Sequence, residues 1–297
     1  MRFPGVSPAL TTPFAADGAV DHAALARSVE RMLGAGMAGF VGTGTMGEAQ
    51  SLTRDERRAV IATIVETVDG RVPVTAGISS ETPALSSAYA ADAAAAGASA
   101  LMLLPSLGYE GDAREIVAFY RAVADTTDLP MMAYNNPKAS GTDMPAALIL
   151  AIADAVEQVV AVKECSGDAR RIAALVDAAG DRLEVLVGGD DWALEGFAAG
   201  ATGWISGVAV AAPEACQELY ERCAAGDLAG ARGVYRALLP LARLDMTPKL
   251  VQFFKAAQDA RGFDGGPCRP PRLALEEADR VVLNTALASL AEAQVTA

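Results

Sequence analysis

Residues 21–43, DHAALARSVERMLGAGMAGFVGT, contain a helix, a glycine turn and a strand in direct succession. Apolar and charged residues recur at helical spacing over Asp21–Ala35, and the small residues of Ala38–Thr43 are typical of a buried strand. The same turn, a glycine followed by small residues before a strand, returns at residues 97–100 and 200–203. The chain is therefore predicted to repeat one helix–strand unit.

Eight short apolar runs are predicted to be strands: Val6–Thr11, Ala38–Thr43, Val72–Gly77, Ala100–Leu104, Pro130–Tyr134, Val159–Lys163, Leu183–Val187 and Gly203–Ser206. Eight predicted helices alternate with them: Asp21–Ala35, Thr53–Val68, Pro83–Ala96, Asp112–Asp125, Pro145–Asp154, Asp168–Ala179, Trp192–Ala199 and Pro213–Ala225. Strands that alternate with helices are typical of a parallel sheet in an α/β protein. Eight such units predict a closed (β/α)8 TIM barrel.

Three further helical stretches follow the eighth unit: Leu228–Arg243, Thr247–Arg261 and Leu273–Leu290. They are predicted to be interrupted by Pro240, Pro248 and the glycine- and proline-rich segment 265–271. Since no long Ser/Gly linker precedes them, we expect residues 1–225 to form the barrel and residues 226–297 to form a helical extension packed on it, as a single domain.

The composition excludes several classes of protein. The chain has 297 residues, 52% of them hydrophobic, and a formal net charge of −13. This negative charge disfavours binding to nucleic acid or to an anionic membrane surface. The N-terminal residues lack a signal-length apolar run, and no convincing transmembrane segment is visible. We therefore expect a soluble protein.

Histidine and cysteine are scarce. The single histidine, His22, disfavours a Ser-His-Asp triad or a multi-histidine metal site, so no metal is expected. The four cysteines form no C-x-x-C pair, which disfavours a disulfide framework. A reducing, cytoplasmic location fits this pattern.

Catalytic side chains of a TIM barrel lie at the C-terminal ends of the strands. Lys163 ends the apolar run Val159–Val162, where an ammonium group is costly to bury. One interpretation is a structural ion pair, with Glu48 or another acid at a strand end. The other is a desolvated lysine whose lowered pKa leaves a nucleophilic amine for a carbonyl substrate.

Tyr134 ends the preceding predicted strand, so its phenol is expected beside Lys163. A buried tyrosine often fills space and makes one hydrogen bond. The alternative is that Tyr134 carries protons during imine formation and protonation of the substrate carbon.

The stretch Gly42–Gly47 matches the pattern G-x-G-x-x-G. A dinucleotide site also needs an acidic residue at the end of the next strand, about 20 residues on. Glu66 has that offset but lies in a predicted helix, which disfavours an NAD-dependent oxidoreductase. The glycines instead allow backbone N–H groups to approach a small anion such as a substrate carboxylate. Glu48 is interpreted as a structural partner of these amides.

Other polar residues at strand ends have two interpretations each. Gly189 and Asp190 follow the seventh strand and could contact substrate hydroxyls, or the aspartate could cap the next helix. Cys165 is interpreted as a small buried residue rather than a second nucleophile. Lys138 is either solvated or placed to meet a second carboxylate.

Four motifs occur in one order along nearly the whole chain: Ser7–Phe14; Gly44–Glu48 followed by Leu52–Arg57; Tyr134–Pro137; and Val162–Asp168. Together they resemble the dihydrodipicolinate synthase and N-acetylneuraminate lyase family, whose members are class I Schiff-base lyases on (β/α)8 barrels. The resemblance implies that Lys163 forms the imine and that Tyr134 shuttles protons. It also implies a homotetramer, commonly a dimer of dimers, and no dissociable cofactor.

The resemblance further implies that Thr45 and the amide of Met46 hold the carboxylate of pyruvate or another 2-oxo acid. The predicted substrate-binding residues are Thr45, Met46, Gly47, Asn136, Cys165, Gly189, Asp190 and Ser206.

Three positions depart from the synthases of this family. Met46 replaces a hydroxyl residue, Leu107 replaces a tyrosine that serves a neighbouring subunit, and Ala139 replaces an arginine for the aldehyde substrate's carboxylate. These changes favour catabolic members, such as 1-pyrroline-4-hydroxy-2-carboxylate deaminases and sugar-acid dehydratases or lyases. The alternatives are a 4-hydroxy-tetrahydrodipicolinate synthase of lysine biosynthesis and a non-catalytic barrel that binds a small acid.

Overall fold

The computed structural model describes residues 2–295, so the predicted boundaries at residues 1 and 297 lie outside the described residues. Eight parallel strands form a nearly closed barrel: β1 Gly5–Pro8, β2 Phe40–Gly42, β3 Val74–Gly77, β4 Ala100–Leu103, β5 Met131–Asn135, β6 Val159–Glu164, β7 Glu184–Val187 and β8 Gly203–Ser206. The predicted (β/α)8 barrel is confirmed.

The barrel helices alternate with these strands: α1 His22–Gly34, α2 Arg54–Val68, α3 Pro83–Ala95, α4 Ala113–Ala124, α5 Pro137–Ser140, α6 Ala146–Ala155, α7 Ala169–Ala179, α8 Ala193–Ala198 and α9 Pro213–Ala224. The extension contains α10 Leu228–Ala242, α11 Leu250–Ala260 and α12 Glu277–Val295. α10 packs against α9 of the barrel and against α12. None of the helices described here has the length and apolarity to cross a membrane.

Strand pairing closes the barrel almost completely. β1 pairs in parallel with β8, with Gly5 opposite Gly203 and Pro8 opposite Ser206. Between β1 and β2 the contact is a single bridge, in which the Leu10 amide donates to the Val41 carbonyl at 2.9 Å. All eight strands run in one direction, so their C-terminal ends meet at one edge.

The repeated glycine turns have a backbone cause. Gly36, Gly97 and Gly200 have φ values of 85°, 86° and 103°. Side chains other than glycine rarely adopt this left-handed region. Each glycine therefore allows the chain to leave a helix and enter the next strand within a few residues.

Capping residues explain where several helices begin. Thr53 and Glu56 form a capping box at the start of α2, and Asp112 and Glu115 form another at α4. Two sequence expectations are corrected. α5 was not predicted, and Pro240 does not interrupt α10, which includes this proline and continues to Ala242.

Candidate active site

A cavity of about 480 Å³ opens at the C-terminal ends of the strands. Its lining residues come from most of the barrel strand ends and from the turn between α10 and α11: Ala9, Gly44, Thr45, Met46, Met102, Tyr134, Asn136, Lys138, Ala139, Lys163, Cys165, Gly188, Gly189, Gly207, Asp245, Met246, Thr247, Pro248 and Leu250. The extension therefore supplies part of the cavity wall.

Lys163 and Tyr134 meet in this cavity, as predicted. The β5–β6 register places the two residues opposite each other. Lys163 is only 6% exposed, and its Nζ lies 4.3 Å from the centre of the Tyr134 ring. An ion pair between Lys163 and Glu48 is absent from the described structure, since Glu48 pairs with Lys255. The amine is thus left facing the cavity.

The electrostatic surroundings of Lys163 correct one prediction. Desolvation is the largest contribution and lowers the pKa of Lys163, but attraction to Tyr134, Cys165 and Asp245 raises that pKa above its ordinary value. The expected lowered pKa is therefore wrong for the free protein. Burial and the nearness of Tyr134 were visible in the sequence, whereas the balance between desolvation and attraction was not.

Tyr134 and Cys165 are uncharged near neutral pH. Burial raises the pKa of the Tyr134 phenol to about 12, although Lys163 opposes the rise. Burial also raises the pKa of the Cys165 thiol to about 12. The Asn136 Nδ2 donates to the Tyr134 hydroxyl at 2.9 Å, which fixes the direction of the phenol.

Asp245 is a cavity residue that the sequence analysis did not select as a site residue. It lies in the turn after α10, at the cavity wall. Burial raises the pKa of Asp245 to about 6, with attraction to Lys163 opposing the rise. Asp245 is therefore mostly ionised at neutral pH. It is the carboxylate that attracts the Lys163 ammonium group.

The loop after β2 has an unusual backbone. Thr43 and Glu48 have φ values of 52° and 53°, although neither is glycine. A β-branched residue in this region is strained, and such strain concentrates at functional sites. The Thr43 hydroxyl donates to the Gly77 carbonyl at 2.9 Å, which holds the conformation. Thr45 and Met46 between these residues reach the cavity wall.

Glu48 is held by the extension rather than by its own loop alone. Its Oε1 lies 2.7 Å from Lys255 Nζ, and both side chains are almost completely buried. Its Oε2 accepts from the Arg269 amide at 3.0 Å. The interpretation of Glu48 as a structural residue fits this arrangement, but its main partners are the Lys255 ammonium group of α11 and the Arg269 amide of the following segment.

Asp190 and Ser206 are fully buried and do not line the cavity. Asp190 Oδ1 accepts from the Ser206 hydroxyl at 2.9 Å, and Oδ2 accepts from the Val208 amide at 2.6 Å. Asp190 thus ties β7 to the turn after β8 and does not cap α8. Gly47 is also outside the lining, and its carbonyl accepts from the Thr12 hydroxyl at 2.8 Å. The substrate-binding roles of Gly47, Asp190 and Ser206 stay predictions.

Thr45, Met46, Asn136, Cys165 and Gly189 do line the cavity. They share it with the two predicted catalytic residues. Lys138 also lines the cavity from an exposed position, whereas Tyr109 is 56% exposed and donates to Glu115. Within residues 2–291, His, Cys, Asp and Glu side chains form no group of three or more suited to a metal ion.

A (β/α)8 barrel with a buried lysine beside a tyrosine at its strand ends has the architecture of a class I aldolase-type lyase. The Dihydrodipicolinate synthetase family matches residues 2–290. The chain belongs to this family and is a lyase of this type.

Similar proteins span nearly the whole chain. A 4-hydroxy-tetrahydrodipicolinate synthase of Methanothrix thermoacetophila is 32% identical over 98% of each chain. An uncharacterised DapA-like lyase of Halobacterium salinarum is 34% identical over 96% of this chain and 93% of that one. The structure of 4-hydroxy-tetrahydrodipicolinate synthase from Methylacidiphilum fumariolicum SolV has a TM-score of 0.95 at 25% identity, covering 99% of this chain and 98% of the other.

Proposed function

We propose that this protein forms a Schiff base between Lys163 and pyruvate or another 2-oxo acid. The observation that carries the proposal is the buried Lys163 amine at a strand end, facing a cavity and 4.3 Å from the Tyr134 ring centre. A buried lysine without a carboxylate bonded to it is costly unless function requires it. No bound cofactor is needed for this chemistry, and we expect none.

Lys163 must pass its proton to solvent before it attacks the carbonyl carbon, because only the neutral amine is a nucleophile. Attack forms a carbinolamine, and loss of water from it gives the imine. Tyr134 keeps its proton at neutral pH, since burial raises its pKa to about 12. It is therefore suited to donate that proton to the departing oxygen, after which the phenolate can take a proton from C3.

The protonated imine withdraws electrons from the adjacent carbons. Loss of the C3 proton then gives an enamine, which can attack an aldehyde or expel water or an amine. Thr45 and the backbone at Met46 are the groups proposed to hold the substrate carboxylate, since both lie in the same cavity wall. Hydrolysis of the final imine returns the free lysine.

The reaction that follows imine formation has two candidates. The names of the relatives favour 4-hydroxy-tetrahydrodipicolinate synthase over the catabolic dehydration, deamination or aldol cleavage that the sequence analysis preferred. The catabolic reactions are favoured by the cavity itself, in which Ala139 occupies the expected arginine position and Asp245 places a carboxylate.

A homotetramer, arranged as a dimer of dimers, is the proposed assembly. The proposal rests on the family resemblance. Light scattering coupled to size-exclusion chromatography should give about four times the chain mass, and a stable monomer would contradict it.

Borohydride trapping tests the Schiff base directly. Reduction in the presence of pyruvate should add one pyruvate-derived group, seen by intact mass, and peptide mapping should place it on Lys163. Lys163→Ala should show no adduct, whereas Lys138→Ala, which removes the other lysine of the cavity wall, should keep it.

An adduct on Lys138 would overturn the assignment of the nucleophile. Binding of pyruvate by a folded protein without any adduct would favour a non-catalytic acid-binding barrel. After a positive result, turnover assays with pyruvate plus aldehyde and with hydroxylated pyrroline carboxylates or deoxy sugar acids would separate the two candidate reactions.

A further inference from the structure

Asp245 is an acceptor in the cavity wall that no side chain of the described residues bonds. Gly207 lies next to Asp245, since a Cβ added to Gly207 would be 3.2 Å from Asp245 Oδ1. The same added carbon would lie 3.1 Å from Asp190 Oδ2, but that oxygen already accepts from the Val208 amide. Asp245 accepts from the Asp190 backbone amide, but no side chain bonds it, so its carboxylate can still accept a hydrogen bond from a ligand.

The cavity residues next to Asp245 are uncharged. Met246, Thr247, Pro248 and Leu250 carry no charge and line the same side of the cavity. Within the described lining there is no arginine, and the one cation besides Lys163 is the exposed Lys138. An incoming group at this end therefore meets a negative charge and a mainly apolar surface.

Several titratable groups act on Asp245 from the elements around it. They are Lys163 and Cys165 of β6 and its end, Tyr134 of β5, Asp190 and Asp191 after β7, and Lys138 of α5. Burial and, to a smaller extent, the repulsion of Asp191 raise the pKa of Asp245 to about 6, and Lys163, the Asp190 amide and Lys138 oppose the rise. Asp245 is therefore mostly ionised at neutral pH.

We infer that Asp245 determines specificity: it selects 2-oxo acids that carry a hydroxyl group remote from the first carboxylate, and it disfavours those with a second carboxylate there. The inference rests on the proposed Schiff-base function. A hydroxyl can donate to the Asp245 carboxylate, whereas a second carboxylate would face a like charge inside a partly desolvated cavity.

The test compares trapping on Lys163 by matched five-carbon probes. The probes are 2-oxopentanoate, 4-hydroxy-2-oxopentanoate and 2-oxoglutarate, with pyruvate as the common reference. For each, the concentration that gives half-maximal borohydride adduct is measured by intact mass. In the unmodified protein we expect the half-maximal concentration of 4-hydroxy-2-oxopentanoate to be at least tenfold lower than that of 2-oxoglutarate.

The ratio of interest is the half-maximal concentration of 2-oxoglutarate divided by that of 4-hydroxy-2-oxopentanoate. Asp245→Asn should lower this ratio to about threefold or less, mainly by improving the trapping of 2-oxoglutarate. Asp177→Asn removes the same charge from an exposed position on α7 and should leave the ratio unchanged. A second measurement needs no variant: because the pKa of Asp245 is about 6, lowering the pH from 7.5 to 5.5 should narrow the ratio in the unmodified protein.

The outcomes separate the two proposals. Absence of a pyruvate adduct would defeat the Schiff-base function itself. A pyruvate adduct with equal half-maximal concentrations for the hydroxylated and dicarboxylic probes would overturn the inference about Asp245. An unchanged ratio at pH 5.5 and in a folded Asp245→Asn variant would overturn it as well.

Discussion

The space that the Lys163 side chain occupies depends on the absence of a side chain at Gly188. A Cβ added there would come within 2.8 Å of both Cγ and Cε of Lys163 and would also meet Cys165 Sγ. Gly188→Ala should therefore displace the lysine and reduce the rate of pyruvate adduct formation by on the order of 10²-fold, because small misplacements cost about this much. Timed borohydride trapping measures the effect.

Gly233→Ala provides the matched control for this substitution. Gly233 lies in α10, and a Cβ added to it would meet no atom within 4 Å. This variant should keep the trapping rate and gain slight stability from better helix propensity. Equal trapping rates for Gly188→Ala and the unmodified protein would show that Lys163 does not need this space.

Some residues of the candidate site could be predicted from the sequence, and others could not. Lys163 and Tyr134 could be found because each ends a strand, and parallel strands bring such ends together. Asp245 could not, since it lies in a turn about eighty residues beyond Lys163, and nothing local shows which strand end it approaches. The sign of the Lys163 pKa shift failed for a different reason, because it depends on the balance between burial and attraction to Tyr134, Cys165 and Asp245, which the sequence does not give.

Between elements, the ion pair of Lys255 and Glu48 joins α11 to the loop after β2. Burial lowers the pKa of Lys255, and Glu48 opposes that shift. Lys255→Met would leave the Glu48 carboxylate buried beside the candidate carboxylate-binding loop without its main cation. We expect the free energy of unfolding to fall by about 3–5 kcal/mol, measured by urea denaturation.

Two further variants identify the cause of that loss. The double variant Glu48→Gln with Lys255→Met removes the uncompensated charge and should recover at least half of the stability. Lys249→Met breaks the half-exposed pair with Asp279 and should cost no more than about 1 kcal/mol. A double variant as unstable as Lys255→Met would mean that the lysine acts through packing and its bond to the Pro267 carbonyl.

Most elements could be predicted because each has a strong local signal. The capping box of Thr53 and Glu56 and the left-handed glycines mark helix boundaries in the sequence itself. α5 was missed because four residues beginning at Pro137 are too short for a periodic pattern. The partners of Glu48 were also hidden, since its contacts with Lys255 and Arg269 join segments more than 200 residues apart.

For the whole molecule, eight repeated units fix the barrel, but the docking of the extension depends on particular side chains. Arg269 donates to the Gly18 carbonyl at 2.7 Å, to the Ser51 carbonyl at 2.7 Å and to both oxygens of Glu56. It also lies over the Phe14 ring. One arginine thus connects the extension to the start of the barrel and to α2.

The Arg269–Glu56 pair should make the stability of the molecule depend on pH in acid. Arg269 lowers the pKa of Glu56 from 4.5 to about 2, so the pair stabilises the fold above pH 4.5 and this contribution is lost as the pH falls toward 2. Because Glu56 is partly exposed, we expect about 1–2 kcal/mol from this source.

Urea unfolding at pH 7, 5 and 3 should show that Arg269→Gln is less stable than the unmodified protein at pH 7 and loses less stability between pH 5 and 3. Arg232→Gln changes an exposed arginine without an ion pair among the described residues, so its stability should depend on pH as in the unmodified protein. If the stability of Arg269→Gln fell with pH in parallel with that of the unmodified protein, the role of this pair would be contradicted.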